Sequence, residues 1–182
     1  EYSLEKNQLK KNKYFNFSSI KHNQDKNIDI DLENAVNLNL ISDAKIGLFL
    51  SGGLDSSIIA ALAKKNKSHV EAYTNTYNEQ KFYINNLDFD YTKELCKDLN
   101  VKLFNSHIGL NDNDKSDFLK SLNFFDEPLS NLNIFNSFKQ AKYAKQNGIK
   151  VILTGDGADE IFGGYEKYYN TNIFQNFSWL SS

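Results

Sequence analysis

The chain has 182 residues, 40% of them hydrophobic, and a formal net charge of −2 at pH 7. This length and apolar content allow one domain with its own hydrophobic core. All the positive charge is lysine, and the chain has no long basic patch with interleaved aromatic residues, so nucleic acid is not indicated as a partner.

Cysteine use and hydropathy indicate the compartment. The single cysteine, Cys96, cannot form an internal disulfide, and the chain has no signal peptide or long apolar run. We therefore expect a cytoplasmic protein without a membrane partner. Cys96 lies on the apolar side of a predicted helix, which favours a core residue over a nucleophile. The three histidines lack metal-ligand spacing and receive no role.

Residues 1–27 alternate lysine, asparagine and aromatic residues, and we interpret them as a short hairpin or an extended connector. After them, helical and strand patterns alternate. Helical spacing predicts helices at about 29–41, 56–65, 88–99, from within 111–117 to about 124, and at 131–146. Apolar and β-branched runs predict strands at 46–50, 70–76, 101–108 and 149–154, with a loop at 81–87.

This alternation predicts an α/β fold, namely a doubly wound, mainly parallel sheet with helices on both faces. Asp29 or Asp31 is the expected cap of the first helix, and Asn100 and Gly148 suit helix ends. Ligands of such sheets bind beyond the carboxyl ends of the strands. Two glycine-rich motifs follow predicted strands at such ends.

The first motif is Ser51-Gly52-Gly53-Leu54-Asp55-Ser56-Ser57. Two glycines let the backbone turn sharply and approach a bulky anion, and the amides of the following helix start favour negative charge. A carboxylate beside phosphate is repulsive unless a cation such as Mg²⁺ lies between them, which explains Asp55. An ordinary strand-turn-helix with Asp55 or Ser56 as the cap is the alternative, but the full string favours pyrophosphate binding.

The second motif is Thr154-Gly155-Asp156-Gly157-Ala158-Asp159-Glu160, continued by Ile161-Phe162-Gly163-Gly164-Tyr165. Crowded carboxylates repel one another unless a cation or a substrate amine lies among them. A capped acidic helix start is the alternative interpretation, because Asp159 and Glu160 would complement the helix dipole. The position after a predicted strand, in a chain with a pyrophosphate loop, favours a binding site.

Together the two motifs resemble the synthetase domain of the glutamine-dependent asparagine synthetase family, in the PP-loop (ATP-pyrophosphatase, adenine nucleotide alpha hydrolase-like) superfamily. GMP and NAD synthetases share the first kind of motif but not the second. The match extends to 41–44 and to Asp126-Glu127-Pro128. The resemblance implies three parts: a connector from an N-terminal glutaminase domain at 1–27, the synthetase core at 28–170, and the start of a C-terminal helical part at 171–182.

The resemblance also implies a reaction. A substrate carboxylate, aspartate in the parent activity, attacks the α-phosphorus of Mg-ATP, and the acyl-adenylate then reacts with ammonia from a glutaminase domain of the same longer chain. Asp55 and Asp159 would hold Mg²⁺, and Asp156 would lie near the acyl-adenylate. The expected nucleotide-binding residues are Leu50, Ser51, Gly52, Gly53, Leu54, Asp55, Ser56, Asn75, Thr154 and Gly155. A homodimer is an expected assembly.

Two departures from the family pattern keep other functions open. Asparagine synthetases usually carry Glu at the position of Asp156, and small hydroxyl residues with Pro where this chain has 131–136. A related carboxylate ligase is therefore one alternative: a β-lactam synthetase, a peptide cyclase or a sugar-acid amidase. A non-catalytic nucleotide-binding module is the other. The apolar residues of 171–182 indicate a surface that needs a partner.

Overall fold

The computed structural model describes residues 2–3, 8–9, 13, 15–16, 27–67, 69–78, 87–126, 131 and 133–168. It divides the chain into two units, Glu1–Leu32 and Glu33–Ser182. Residues 81–86 of the predicted loop at 81–87, most of the predicted connector and the predicted C-terminal part at 171–182 lie outside the described residues, and residue 87 is helical rather than part of a loop.

In the first unit, strand β1 (Tyr2–Ser3) pairs antiparallel with strand β2 (Gln8–Leu9). Helix α1 begins in this unit and spans Ile28–Asn39. The side chain of Asn27 accepts a hydrogen bond from the Asp29 N–H at 2.9 Å. The prediction that Asp29 or Asp31 caps α1 is therefore wrong. Both aspartates lie inside the first turn, where they still complement the helix dipole.

The second unit alternates strands and helices as the sequence predicts, with boundaries that differ by a few residues. Its strands are β3 (Ile46–Phe49), β4 (Glu71–Tyr77), β5 (Lys102–Ile108) and β6 (Val151–Leu153). Its helices are α2 (Leu54–Asn66), α3 (Leu87–Asp98), α4 (Asp112–Leu122), α5 (Asn133–Gln146) and α6 (Ala158–Phe162). Asn100 and Gly148 adopt positive φ angles of 50° and 80° just after α3 and α5, which confirms both predicted helix ends.

The four strands of this unit form a parallel sheet in the order β5-β4-β3-β6. Leu48 of β3 lies opposite Ala72 of β4 and Leu153 of β6. The carboxyl ends of β3 and β6 therefore meet at one edge of the sheet, although about a hundred residues separate them in sequence. This pairing brings the two glycine-rich motifs together.

Helices cover both faces of the sheet. On one face, Val36 of α1 and apolar residues of α2 and α3 pack against Leu48 and Leu50, and Cys96 is part of this core. On the other face, Ala144 and Tyr143 of α5 pack against Tyr73 and Phe104. The predicted doubly wound α/β class is confirmed. Burial raises the pKa of the Cys96 thiol to about 11, as befits a core residue.

A lysine–aspartate network joins α4 to α5. Lys139 Nζ lies 2.7 Å from Asp114 Oδ1, and Lys142 Nζ lies 2.6 Å from Asp117 Oδ1. Both aspartate side chains are only 4% exposed. Burial opposes ionisation of Asp117, but the hydrogen bonds and charges of Lys142 and Lys139 outweigh it and lower its pKa. The network fixes the orientation of α5, which lines the site described below.

Among the helices that the structure describes, none has both the length and the apolar character needed to cross a membrane.

Candidate nucleotide site

The loop between β3 and α2 makes a tight turn that only glycine accommodates. Gly52 has a φ of +84°, in the left-handed region. A Cβ at this position would also collide with the backbone carbonyl oxygen of Asp88 in α3, so a side chain is excluded on both counts. The loop backbone therefore lies directly against α3.

Serine hydroxyls form hydrogen bonds within the loop and at the start of α2. Ser51 Oγ and Ser56 Oγ lie 3.0 Å apart, and the Gly53 N–H donates to Ser51 Oγ at 3.3 Å. Ser57 Oγ donates to the Gly53 carbonyl at 2.7 Å. Gly53 is the N-cap residue of α2 and provides no side-chain hydrogen bond. The first-turn amides of this helix of 13 residues therefore keep donor capacity for an anion.

The second motif forms two glycine turns around the short helix α6. Gly157 and Gly163, at its two ends, have φ angles of +93° and +74°. The N–H groups of Gly163 and Gly164 donate to the Asp159 carbonyl at 2.9 and 3.1 Å. A Cβ on Gly164 would collide with the Asp159 carboxylate. The glycines thus leave room for the position that the Asp159 side chain adopts.

The two motifs are in direct contact. A Cβ on Gly155 would lie 2.9 Å from the Ser56 backbone nitrogen and 3.1 Å from Asp55 Cβ, so only a glycine fits between them. Together they border a cleft of about 370 Å³. Its lining is Phe49, Leu50, Ser51, Gly53, Asp55, Ser56, Ser137, Gln140, Thr154, Gly155, Asp156, Gly157, Asp159, Glu160 and Tyr165.

The structure brings most of the predicted site residues to this cleft and leaves three away from its lining. Gly52 lies behind the loop against α3, and Leu54 is an exposed residue at the start of α2. Asn75 lies within β4, where its Nδ2 donates to the Asn136 carbonyl at 2.8 Å and its Oδ1 accepts from Ser106 Oγ. The Leu50 side chain is buried, so Leu50 would face the cleft only through its backbone.

Residues outside the predicted set also line the cleft. Ser137 and Gln140 come from α5, and no local pattern in that helix marks them. Glu160 and Tyr165 belong to the second motif, whose spacing points to them. The Tyr165 hydroxyl donates to Glu160 Oε1 at 2.9 Å, and this hydrogen bond raises the pKa of Tyr165 to about 12.

The acidic residues of the cleft fit a divalent cation that arrives with phosphate. Among the described residues, no three His, Cys, Asp or Glu side chains are placed to hold a metal by themselves. Asp55 and Asp159 nevertheless line one cleft beside a loop with open amides. Protein sites commonly bind Mg²⁺ through one or two carboxylates, with the substrate phosphates supplying further oxygens. The donor set is therefore suitable for Mg²⁺ bound with a nucleotide.

The fold and the loop define the class of protein first. A parallel sheet with this loop at its carboxyl edge is an α/β domain of the PP-loop type. The same fold occurs in the U34-tRNA thiolase NcsA from Methanococcus maripaludis, with a TM-score of 0.50, 14% identity, and coverage of 76% of this chain and 51% of that chain. At this identity the likeness concerns the fold alone.

Sequence comparison then gives the family. The Asparagine synthase family model matches residues 27–181, so the chain belongs to that family. The chain is 31% identical over 156 residues to asparagine synthetase [glutamine-hydrolyzing] 1 of Bacillus subtilis, which covers 84% of this chain and 24% of that protein. It is also 31% identical over 142 residues to a putative asparagine synthetase of Methanocaldococcus jannaschii, with 78% and 25% covered. The chain thus spans about a quarter of the length of these relatives.

Proposed function

We propose that the protein containing this chain is an ATP-dependent, AMP-forming ligase that converts a substrate carboxylate into an amide. The carrying observation is the contact of Gly155 with Asp55 and Ser56, which joins the phosphate-type loop to the acidic motif in one cleft. Membership of the asparagine synthase family supports the same reaction class. The named relatives are glutamine-hydrolysing asparagine synthetases, which makes aspartate the reference substrate.

In the first step, a carboxylate oxygen of the acid attacks the α-phosphorus of ATP. A new O–P bond forms, the bond between the α-phosphorus and the α–β bridging oxygen breaks, and pyrophosphate leaves with the electron pair. The loop residues Ser51, Gly53 and Ser56 would surround the departing pyrophosphate, and the first-turn amides of α2 would donate hydrogen bonds to it. Thr154 and Gly155, beside the loop, would position the ribose and the α-phosphate.

Asp55 and Asp159 would hold Mg²⁺, which when bound supplies positive charge against the phosphate oxygens and the leaving pyrophosphate. Neither carboxylate makes a salt bridge to a described residue, so both remain available for a cation. Without a cation, these carboxylates would repel the nucleotide that the loop amides attract. The carboxylate pair therefore makes nucleotide affinity depend on the metal.

In the second step, ammonia nitrogen attacks the acyl carbon. A C–N bond forms, the C–O bond to AMP breaks, and the nitrogen loses a proton. Asp156 is exposed in the cleft at the turn before α6, and we assign it the role of steadying the incoming ammonia. Ammonia would come from a glutaminase domain in the same longer, cytoplasmic protein, with residues 1–27 as the connector, 28–170 as the synthetase core and 171–182 leading into a helical part.

The test is isotope exchange between labelled pyrophosphate and ATP, measured on the full-length protein with Mg²⁺ and a panel of carboxylic acids. Because adenylation is reversible, exchange should occur only when a suitable acid is present. Aspartate is included as the reference acid. Exchange without any acid, or AMP formation without amide when ammonia is supplied, would contradict the proposal.

A non-catalytic nucleotide-binding module is distinguished by the same assay. Such a protein would bind ATP with Mg²⁺ in calorimetry but show no exchange with any acid. If the protein did not bind ATP in calorimetry, that result would instead contradict the assignment of the cleft as a nucleotide site. The two measurements thus separate a wrong reaction from a wrong ligand.

A further inference from the structure

The candidate nucleotide cleft spans the carboxyl edge of the sheet, with α2 on one side and α5 on the other. The phosphate-type loop leads into α2, whose core residues pack against Leu48 on one face of the sheet. Ala144 of α5 packs against Tyr73 on the opposite face. Ser137 and Gln140 of α5 line the same cleft as the loop. The cleft therefore has side chains from both faces of the sheet.

Contacts on neighbouring positions fix how α5 is rotated about its axis. The Asn136 carbonyl accepts a hydrogen bond from Asn75 Nδ2 of β4 at 2.8 Å. The lysine–aspartate network holds the helix against α4. Ser137 and Gln140 are three positions apart, so they share one face of the helix. The contacts with β4 and α4 thus direct that face to the cleft.

The α5 side of the cleft carries hydrogen-bond donors that are not engaged within the protein. Among the described residues that line the cleft, only Gln140 has a side-chain N–H, and none is a lysine or histidine. Neither the Gln140 amide nor the Ser137 hydroxyl forms a hydrogen bond with another described residue. By contrast, the hydroxyls of Ser51 and Ser56 lie 3.0 Å apart, and the Tyr165 hydroxyl donates within the second motif. Ser137 and Gln140 can therefore donate to a ligand.

An anionic acid needs such donors in this cleft. Even with Mg²⁺ held by Asp55 and Asp159, the carboxylates of Asp156 and Glu160 and the phosphates of ATP remain negative. A substrate carboxylate must therefore approach the α-phosphorus against like charge. Hydrogen bonds to an ionised acceptor are stronger than those between neutral groups, so an N–H donor from Gln140 would offset part of this repulsion.

The direction of attack also favours the α5 side. In phosphoryl transfer the attacking and leaving oxygens lie roughly in line, on opposite sides of the phosphorus. The proposed pyrophosphate position is at the first turn of α2, so the acid would enter from the side away from that turn. Ser137 and Gln140 belong to the helix on the opposite face of the sheet. Their position suits an acid that enters from there.

We propose that Gln140, assisted by Ser137, binds the reacting carboxylate of the acid substrate and directs one of its oxygens to the α-phosphorus. This inference rests on the proposed function and adds the acid-binding side chains to it. The Gln140 amide N–H donates to the carboxylate oxygen that does not attack. That oxygen becomes the carbonyl of the acyl-adenylate and gains negative charge when ammonia adds to the acyl carbon. The same N–H therefore stabilises both steps.

The first experiment removes the N–H group with Gln140→Met in the full-length protein. The assay is pyrophosphate exchange with whichever of aspartate, glutamate, succinate and hexanoate the wild type exchanges fastest. We expect kcat/KM for that acid to fall roughly ten- to hundredfold, as for the loss of a hydrogen bond to a charged group. The KM for ATP should change less than about twofold. Gln146→Met, at the exposed end of the same helix and outside the cleft lining, is the matched control and should change neither value.

Two further variants separate the donor from side-chain size. Gln140→Glu keeps the length of the side chain but replaces the N–H group by negative charge, so we expect a larger loss than for Gln140→Met. Ser137→Ala removes only a hydroxyl at an exposed position, and we expect a roughly three- to tenfold loss in kcat/KM for the acid. Urea denaturation of each variant checks that it is folded.

The outcomes distinguish the inference from the proposed function. Wild-type kcat/KM for the acid in the Gln140 variants overturns the inference and leaves the proposed function standing. A matching rise in the KM for ATP also overturns it, because the amide would then bind the nucleotide. Should Gln140→Met fail to fold, Gln140→Glu and Ser137→Ala decide by the same criterion. Exchange of the wild type with none of the acids overturns the proposed function together with the inference.

Discussion

The acidic groups of the nucleotide cleft and those between α4 and α5 have opposite surroundings. Asp114 and Asp117 are nearly fully buried, and each lies within hydrogen-bond distance of a lysine. Asp55, Asp156 and Asp159 line an open cleft and make no salt bridge to a described residue. The same chemical group is paired and structural in one region, and unpaired and accessible in the other.

This difference distinguishes a stabilising carboxylate from one that is available to a ligand. A buried carboxylate needs a cation from the protein, because desolvation would otherwise drive it to protonate. A carboxylate in an open cleft is solvated, so it remains charged without a cation from the protein and can bind a cation that arrives with the substrate. The comparison therefore predicts that mutations in the cleft reduce activity, whereas mutations between α4 and α5 reduce stability.

The largest effect on activity is expected for Asp55→Asn and Asp159→Asn. Each removes one charge from the proposed Mg²⁺ site, and we expect kcat in the exchange assay to fall at least roughly a hundredfold. The free energy of unfolding should change by less than about 1 kcal/mol, because neither carboxylate is buried or paired. Turnover at the wild-type rate in either variant would show that the carboxylate does not bind the metal.

Gly155→Ala tests the contact between the two motifs. The new Cβ would lie 2.9 Å from the Ser56 backbone nitrogen, so the motifs must separate. We expect a loss of about 1–3 kcal/mol in stability from overpacking and a roughly ten- to hundredfold loss of activity from misplacement of the loop. Urea denaturation and the exchange assay measure the two effects.

The matched control for this variant is Gly109→Ala. A Cβ on Gly109 would lie 3.5 Å or more from its neighbours, an ordinary contact distance. It should change stability and activity little. If Gly109→Ala and Gly155→Ala had equal effects, the cost would come from losing glycine in general and not from the contact between the motifs.

Asp117→Asn should act on stability and not directly on chemistry. It removes the charge that both Lys139 and Lys142 contact while leaving those lysines in place. Breaking one partner of a buried pair typically costs about 3–5 kcal/mol. Because Lys142 is 43% exposed, we expect about 2–4 kcal/mol by urea denaturation. If the variant were as stable as the wild type but impaired in the exchange assay, the network between α4 and α5 would serve activity and not stability.

The smallest effect is the pH dependence of the same network. The pKa of Asp117 is lowered in the folded state, so its contribution is complete above the ordinary carboxyl pKa of about 3.9 and declines as pH falls through the lowered value. The stability difference between wild type and Asp117→Asn should therefore be constant from pH 7 to pH 5 and shrink below about pH 4. A difference that stays the same down to pH 3 would contradict the lowered pKa.

Local sequence patterns predict most helices and strands well, because apolar periodicity and helix-ending residues depend only on neighbouring positions. Glycine and asparagine mark the ends of α3 and α5, and the apolar periodicities mark the strands. The sequence pattern misplaces the cap of α1, because the Asn27 side chain accepts a hydrogen bond from the amide two positions along. Helix α2 begins at Leu54, two residues before the predicted start, because Gly53 takes the cap position without a side-chain hydrogen bond.

The candidate site was predictable only in part. The motifs name Asp55, Asp156 and Asp159, since carboxylates among glycines after a strand are unusual. No sequence pattern marks Ser137 and Gln140 as site residues, because polar residues on an amphipathic helix are usually expected to face solvent. Their place in the cleft depends on how α5 packs against the sheet, which the network to Asp114 and Asp117 orients.

Residue types at fixed local spacing are sufficient to predict the doubly wound α/β class, the loop at 51–57 and the acidic motif at 154–165. The contact of Gly155 with Asp55 and Ser56 follows from the folded arrangement instead, since it requires β3 and β6 to pair across about a hundred residues. The folded arrangement also places Ser137 and Gln140 of α5 on the same cleft. Their placement depends on how α5 packs against β4 and α4, and no single segment of the chain encodes it.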